Sequence, residues 1–166
     1  MGPFPKISDV DPDLITAGKQ TITTLKGSVL VDSAESFAMI RGGHINMTIL
    51  GAMEVSENGD IANWKIPGKL VKGMGGAMDL VSSSDNIIVA MMHTNKKGES
   101  KLLKKCTLPL TGKKCIKKIF TDLAVIEVTK NGFYLVEKAP NVSIEEIINK
   151  TEGKIEISEK LKDIEI

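Results

Sequence analysis

Aromatic residues are scarce in this chain: four phenylalanines, one tyrosine and one tryptophan in 166 residues. Base-stacking surfaces of the kind that hold single-stranded nucleic acid have little to work with. Cysteines number two, Cys106 and Cys115, too few for a disulfide framework. The plain expectation is reduced thiols in a cytoplasmic setting. With His44 and His93 as the two histidines, and cysteines too far apart for a ligand knuckle, no metal site is expected. Long apolar runs are missing too. The longest, Ile87 to Met92, has six residues, against the roughly 20 that span a bilayer. Residues Met1 to Lys6 carry no apolar signal region, so neither membrane nor export is expected. Nor does one sign of charge dominate. Lysine and arginine total 22, aspartate and glutamate 21, which makes no global case for nucleic acid.

What is present is ordinary globular material, 42% hydrophobic and 26% charged, at a length that suits one domain. Pro3, Pro5 and Pro12 make the opening irregular. Thr21 to Val31 reads as two short strands, or one strand bent at Gly27. Asp32, with Glu35 three residues on, starts a helix over Ser33 to Arg41 that Gly42-Gly43 ends. Ile45 to Leu50 is a strand, Asn58-Gly59 a tight turn, and Met78 to Ser82 weakly strand-like. Asn86 to Met92 suits a strand buried on both faces of a parallel or mixed sheet. Leu123 to Thr129 and Phe133 to Glu137 flank Asn131-Gly132 as a hairpin. Ser143 and Glu146 cap a helix over Ile144 to Lys150 that Gly153 stops, and Lys154 to Ile157 forms a last short strand. Strands and helices interleave, giving an α/β chain with some antiparallel pairing. Residues 158–166 read as a tail.

Charge is uneven. Residues 96–118 hold nine lysines against one glutamate, while 143–166 hold seven acids against four lysines. The first stretch is a solvated basic surface, or a face for an acidic partner or ligand phosphates. The stretch from Gly68 to Asp79 has glycines at 68, 73, 75 and 76. Clustered glycines let a backbone approach a ligand with no Cβ in the way, and their N–H groups can face an oxygen that is gaining charge. A dinucleotide fingerprint does not fit, because Met78 stands where a third glycine is required.

Several longer blocks occur in order: Met1-Gly-Pro-Phe-Pro5, Ala17-Gly-Lys-Gln-Thr21, Ser36-Phe-Ala-Met-Ile-Arg-Gly-Gly-His44, Leu50-Gly-Ala-Met53, Ala62-Asn-Trp64, Ile66-Pro-Gly-Lys69, Lys72-Gly-Met-Gly-Gly-Ala-Met-Asp-Leu-Val81 and Lys105-Cys-Thr-Leu-Pro-Leu-Thr-Gly112. Together they resemble the B (beta) chains of family I 3-oxoacid CoA-transferases, of the succinyl-CoA:3-ketoacid type, over essentially the whole sequence. The resemblance implies an open mixed α/β sheet of the CoA-transferase type, spanning 1–166 but lacking the first elements of a usual family member. It implies transfer of CoA between succinyl-CoA, or another acyl-CoA, and a 3-oxoacid such as acetoacetate. A glutamate carboxylate attacks the acyl-CoA, an acyl-glutamyl anhydride and CoA thiolate form, and the thiolate returns to give a glutamyl-CoA thioester. Coenzyme A is then a substrate, and no permanently bound cofactor is expected. The partner is the CoA-transferase alpha subunit, in an A2B2 assembly.

Residue by residue, the resemblance gives the oxyanion-stabilising N–H to Gly76, the CoA thiol end to Gly73, Gly75, Ala77 and Met78, and a CoA-holding ammonium to Lys19. It also implies that the nucleophilic glutamate lies upstream of Met1, so that the chain alone is expected to be inactive. Ser56-Glu57-Asn58-Gly59 repeats the family's nucleophile tetrapeptide in the wrong context, and Glu57 reads as an exposed turn residue. The alternative is a non-catalytic CoA-binding or assembly module.

Overall fold

The computed structural model describes residues 1–16, 18–68, 75–83 and 86–165. They fall into two compact units, Met1–Ser36 and Phe37–Ile166.

The first unit is mostly irregular. One 3-10 turn covers Ile7–Asp9. Gly2 donates its N–H to the Thr23 carbonyl at 2.7 Å, and Thr23 donates back to Pro3 at 3.1 Å. The strands expected over Thr21 to Val31 do not form. Thr21 makes a single bridge with Ile15, and the chain then turns at Gly27, whose φ is +89°. Branched residues favour a strand only where a partner and a covered face exist; here Val29 and Leu30 stay exposed. Helix α1, Ser33–Arg41, forms as its ends dictate. Asp32 Oδ1 accepts the Glu35 N–H at 2.8 Å, and Gly43, at φ +74°, unwinds the last turn.

The second unit is built on a six-stranded mixed sheet. Its strands are β1 (Thr48–Leu50), β4 (Ile87–Ala90), β6 (Ile116–Phe120), β7 (Ala124–Thr129), β8 (Gly132–Lys138) and β9 (Ile155–Asp163). They lie side by side in that order, with β1, β4 and β6 mutually parallel and β6, β7 and β8 antiparallel. A small sheet joins β2 (Glu54–Ser56), β3 (Ile61–Ala62) and β5 (Leu102–Leu103). The core lies between: Val55, Ile61, Val89, Leu102, Ile119, Ile126, Phe133, Leu135 and Ile147 are fully buried. The hairpin at Asn131-Gly132 and the Ser143 cap stand as the sequence predicts. Ser143 Oγ accepts the Glu146 N–H at 3.1 Å and opens α3, Ile144–Asn149.

Three elements differ from expectation. Strand β1 begins only at Thr48. Residues 78–82 are helical, inside α2 (Ala77–Ser83), because the glycines before them free the backbone to turn and Asp79 sits in the first turn, where helices favour a carboxylate. Residues 158–163 are not a tail but the end of β9, parallel to β8. The charges that suggested a solvated terminus have partners there: Lys138 with Asp163, and Glu137 with Lys162 at 3.3 Å. Ile155 and Leu161 meanwhile pack on the core.

His93 is buried and structural. Its Nδ1 lies 3.0 Å from Thr121 Oγ1, its Nε2 3.0 Å from Thr151 Oγ1, and its main-chain N–H donates to Asp122 Oδ1 at 2.7 Å. Burial pulls its pKa from 6.5 down to about 4; the Asp122 charge opposes the shift and Lys150 adds to it. Between those two values the unfolded chain binds the extra proton, so stability is complete above pH 6.5 and falls as pH drops toward 4. Denaturant unfolding at pH 5 should show about 2 kcal/mol less stability from this group than at pH 7.5. A His93→Asn variant should lack that step; an unchanged pH dependence would exclude His93 as its source.

Candidate active site

The glycine-rich motif and the first helix meet. Gly75 and Gly76 lead into α2, and Ala77 and Met78 form its first turn. Gly75 takes φ +56°, with open space where a Cβ would stand. Gly76 is different. A Cβ there would sit 2.3 Å and 2.5 Å from ring carbons of Phe37. The Gly76 carbonyl accepts the Leu80 N–H at 3.1 Å, which makes it the helix cap. One turn on, Asp79 Oδ1 accepts from Arg41 Nη1 at 3.0 Å. Phe37 and Arg41 are four residues apart and so share a face of α1. That face clamps the head of α2 at two points, steric at Gly76 and ionic at Asp79.

The N–H groups of Gly76, Ala77 and Met78 head the helix, where geometry leaves amides without intrahelical acceptors. None of the described residues accepts from them. Gly76 is half-buried rather than sealed in the interior. Preorganised donors of this kind suit an oxygen that acquires negative charge.

Gly73 lies outside the described residues. Lys19 belongs to the first unit, exposed and at φ +66°. Its N–H donates to the Thr16 carbonyl at 2.9 Å, closing the turn between Ile15 and Thr21. A lysine in the left-handed region is uncommon and marks a conformation held by its neighbours. Glu57 follows β2 and is less exposed than a free turn residue. Its N–H donates to the Leu103 carbonyl at 2.9 Å, and its Oε2 accepts the Lys154 N–H at 2.7 Å. The carboxylate anchors the start of β9.

Only residues 84–86 separate α2 from β4, and α2 packs against β1. The last turn of α2 therefore lies near the start of β4, away from the C-terminal edge of the parallel strands β1, β4 and β6. Open α/β sheets take their ligands at that edge. A cavity of about 440 Å³ opens there, lined among others by Ala52 and Met53 after β1, Met92 and Thr94 after β4, and Lys96 and Lys101. Burial draws the Lys101 ammonium below the usual lysine range, with the Asp122 charge opposing. Glu54, also on the wall, is not free to balance it, because the carboxylate accepts from the Thr107 N–H and hydroxyl and from the Leu108 N–H. Sequence reasoning did not single out Lys101 or Met92. They reach the cavity from separate loops, and the one hint was the density of lysines after residue 95. Among the described residues no cluster of histidine, cysteine and carboxylates could hold a metal, and no helix is long and apolar enough to cross a membrane.

The profile of the coenzyme A transferase family matches residues 1–150. The beta subunit of the probable succinyl-CoA:3-ketoacid coenzyme A transferase of Bacillus subtilis is 55% identical, over 97% of this chain and 74% of its own length. The beta subunit of the acetate CoA-transferase of Haemophilus influenzae is 44% identical, over 95% of this chain and 71% of its own length. Among solved structures, the apoenzyme of the acyl-CoA transferase YdiF from Escherichia coli O157:H7 superposes with a TM-score of 0.75 at 23% identity. The match covers 91% of this chain and spans 33% of that one. It is a likeness of fold.

Proposed function

The chain belongs to the coenzyme A transferase family, and from that premise we propose that it works as the beta subunit of a succinyl-CoA:3-ketoacid CoA-transferase. The observation that carries this reading to chemistry is the head of α2, where Phe37 excludes any side chain from Gly76 and the first-turn amides find no acceptor among the described residues. In ping-pong CoA transfer a carboxylate attacks the thioester carbonyl, and each tetrahedral intermediate carries an oxyanion. We assign the Gly76 N–H to that oxygen, a contribution of about 3–4 kcal/mol for one donor. Gly75, Ala77 and Met78 border the thiol end of CoA, with Gly73 in the same motif, and Lys19 supplies a compact positive charge for a CoA phosphate or amide oxygen. The cavity beside Met92 and Lys101 takes the acyl and pantetheine portion. Identity favours the succinyl over the acetate type, 55% against 44%. The partner is the CoA-transferase alpha subunit, in an A2B2 assembly. The cytoplasm, where Cys106 and Cys115 stay reduced, is the proposed compartment; both are free thiols whose pKa burial raises.

The attacking glutamate comes from outside these 166 residues. Glu57 does not serve, since its carboxylate is committed to the Lys154 N–H. Incubation with acetoacetyl-CoA followed by borohydride or hydroxylamine trapping tests both points. The chain alone should show no turnover and no labelled glutamate. The assembled enzyme should be labelled on a glutamate outside residues 1–166, and Glu57→Gln should leave its rate unchanged. Labelling of Glu57, or turnover by the isolated chain, would overturn the assignment.

A further inference from the structure

A second cleft lies at the other edge of the main sheet. Its volume is about 450 Å³, and Lys114, Lys117, Lys130, Asn58 and Thr129 line it. The three lysines arrive from the loop before β6, from β6 itself and from the β7–β8 turn. Ile116, also on the wall, pairs with Ile87 at the N-terminal ends of two parallel strands. The cleft is thus set apart, by the height of the strands, from the C-terminal edge where the first cavity opens.

The rim is built rather than loose. Gly59, at φ +84°, brings the Asn58 turn so close to Ile116 that a Cβ would stand 2.9 Å from its carbonyl oxygen. The Gly59 carbonyl accepts the N–H groups of Cys115 and Ile116, each at 3.0 Å. Lys114 sits between at φ +52°, its N–H held by Asp60 Oδ1 at 3.0 Å. The nearby pair Lys118–Glu127, at 3.0 Å, is self-neutralised. None of the three cleft lysines has an ion-pair partner among the described residues. No carboxylate lines the cavity, and its apolar wall is limited to Ile116 and Val128.

Three lysines without an ion-pair partner among the described residues, lining a concave and largely polar space, favour a compact multiple anion. Lysine acts as a point charge suited to phosphate, where flat carboxylate recognition favours arginine. The volume is that of a small-molecule site, and the cleft offers no apolar pocket for the anchor residues a protein partner would need. We propose that this cleft binds a small phosphorylated ligand carrying at least two phosphate charges, separately from the CoA site. The inference does not depend on the transferase reading.

Inorganic pyrophosphate is the probe, titrated by calorimetry into the 166-residue chain at low salt. One saturable site is expected, weakening several-fold as sodium chloride rises from about 50 to 300 mM. The double variant Lys117→Gln/Lys130→Gln should weaken binding at least ten-fold while keeping the wild-type melting temperature, and in an assembled enzyme it should leave the transfer rate unchanged. Lys19→Gln should leave pyrophosphate binding intact. Absence of saturable binding overturns the proposal. So does binding that survives in the double variant or is lost in Lys19→Gln. A double variant that releases a protein partner while the wild type ignores pyrophosphate would make the cleft a protein-docking surface instead.

Discussion

Gly76→Ala should lower kcat of the assembled enzyme at least 100-fold, with much less effect on KM for the CoA ester. The added methyl would lie 2.3 Å from a Phe37 ring carbon, closer than any real contact. Either the ring swings away or the head of α2 retreats, and both displace the Gly76 N–H. An oxyanion donor acts only when it already points at the place where charge develops, and losing one typically costs 10²–10³ in rate. Two companions separate the causes. Gly75→Ala meets open space within the fold, so its stability cost is only the strain of a positive φ, about 1 kcal/mol. A rise in its KM for the CoA ester would report the proposed contact of Gly75 with the thiol end rather than loss of the oxyanion donor. Gly76→Ala/Phe37→Ala removes the colliding ring and should recover at least ten-fold of the lost rate. A Gly76→Ala enzyme within three-fold of wild type would remove Gly76 from the mechanism.

The largest effect on stability should come from Phe133→Ala. Phe133 is fully buried in the core cluster. It sits on β8 between Val128 of β7 and Ile155 of β9 in register, and it presses on Gly153, where a Cβ would stand 2.5 Å from the ring. Truncating a buried phenylalanine costs about 3–5 kcal/mol, a large share of the roughly 5–15 kcal/mol that holds a typical domain. The melting temperature should fall by roughly 10 °C. Gly153→Ala should cost about 1–3 kcal/mol through overpacking. In the Phe133→Ala background its cost should drop by half or more, since the ring is gone and only the Leu103 carbonyl, at 3.0 Å, still crowds it. Additive losses would show that the two positions do not share this contact.

Local signals carried most of the fold. Asn131-Gly132, Ser143 with Glu146, and Asp32 with Glu35 each place an element end through a bond within four residues, so chemistry and spacing suffice. Signals that depend on distant partners misled. Thr21 to Val31 has strand composition but makes only one bridge within its unit. Residues 158–163 look solvated until β8 supplies Lys138 and Glu137. Residues 78–82 are too few for periodicity to choose between strand and helix.

The proposed transfer site divides in the same way. Its family was plain from ordered motifs alone, and those motifs singled out the glycines to which the oxyanion and CoA roles are assigned, since a backbone that must come close to a ligand favours glycine. What those motifs could not reveal is how Phe37 and Arg41 meet the stretch from Gly75 to Asp79. That became visible only when α1 was seen laying Phe37 over Gly76 and Arg41 against Asp79. The lysine clefts likewise depend on folding, since Lys101 with Met92, and Lys114 with Lys130, are neighbours in space and strangers along the chain. Short-range bonds are written in adjacent residues; the meeting of remote side chains is set by which strands pair, and that is a property of the whole packed sheet.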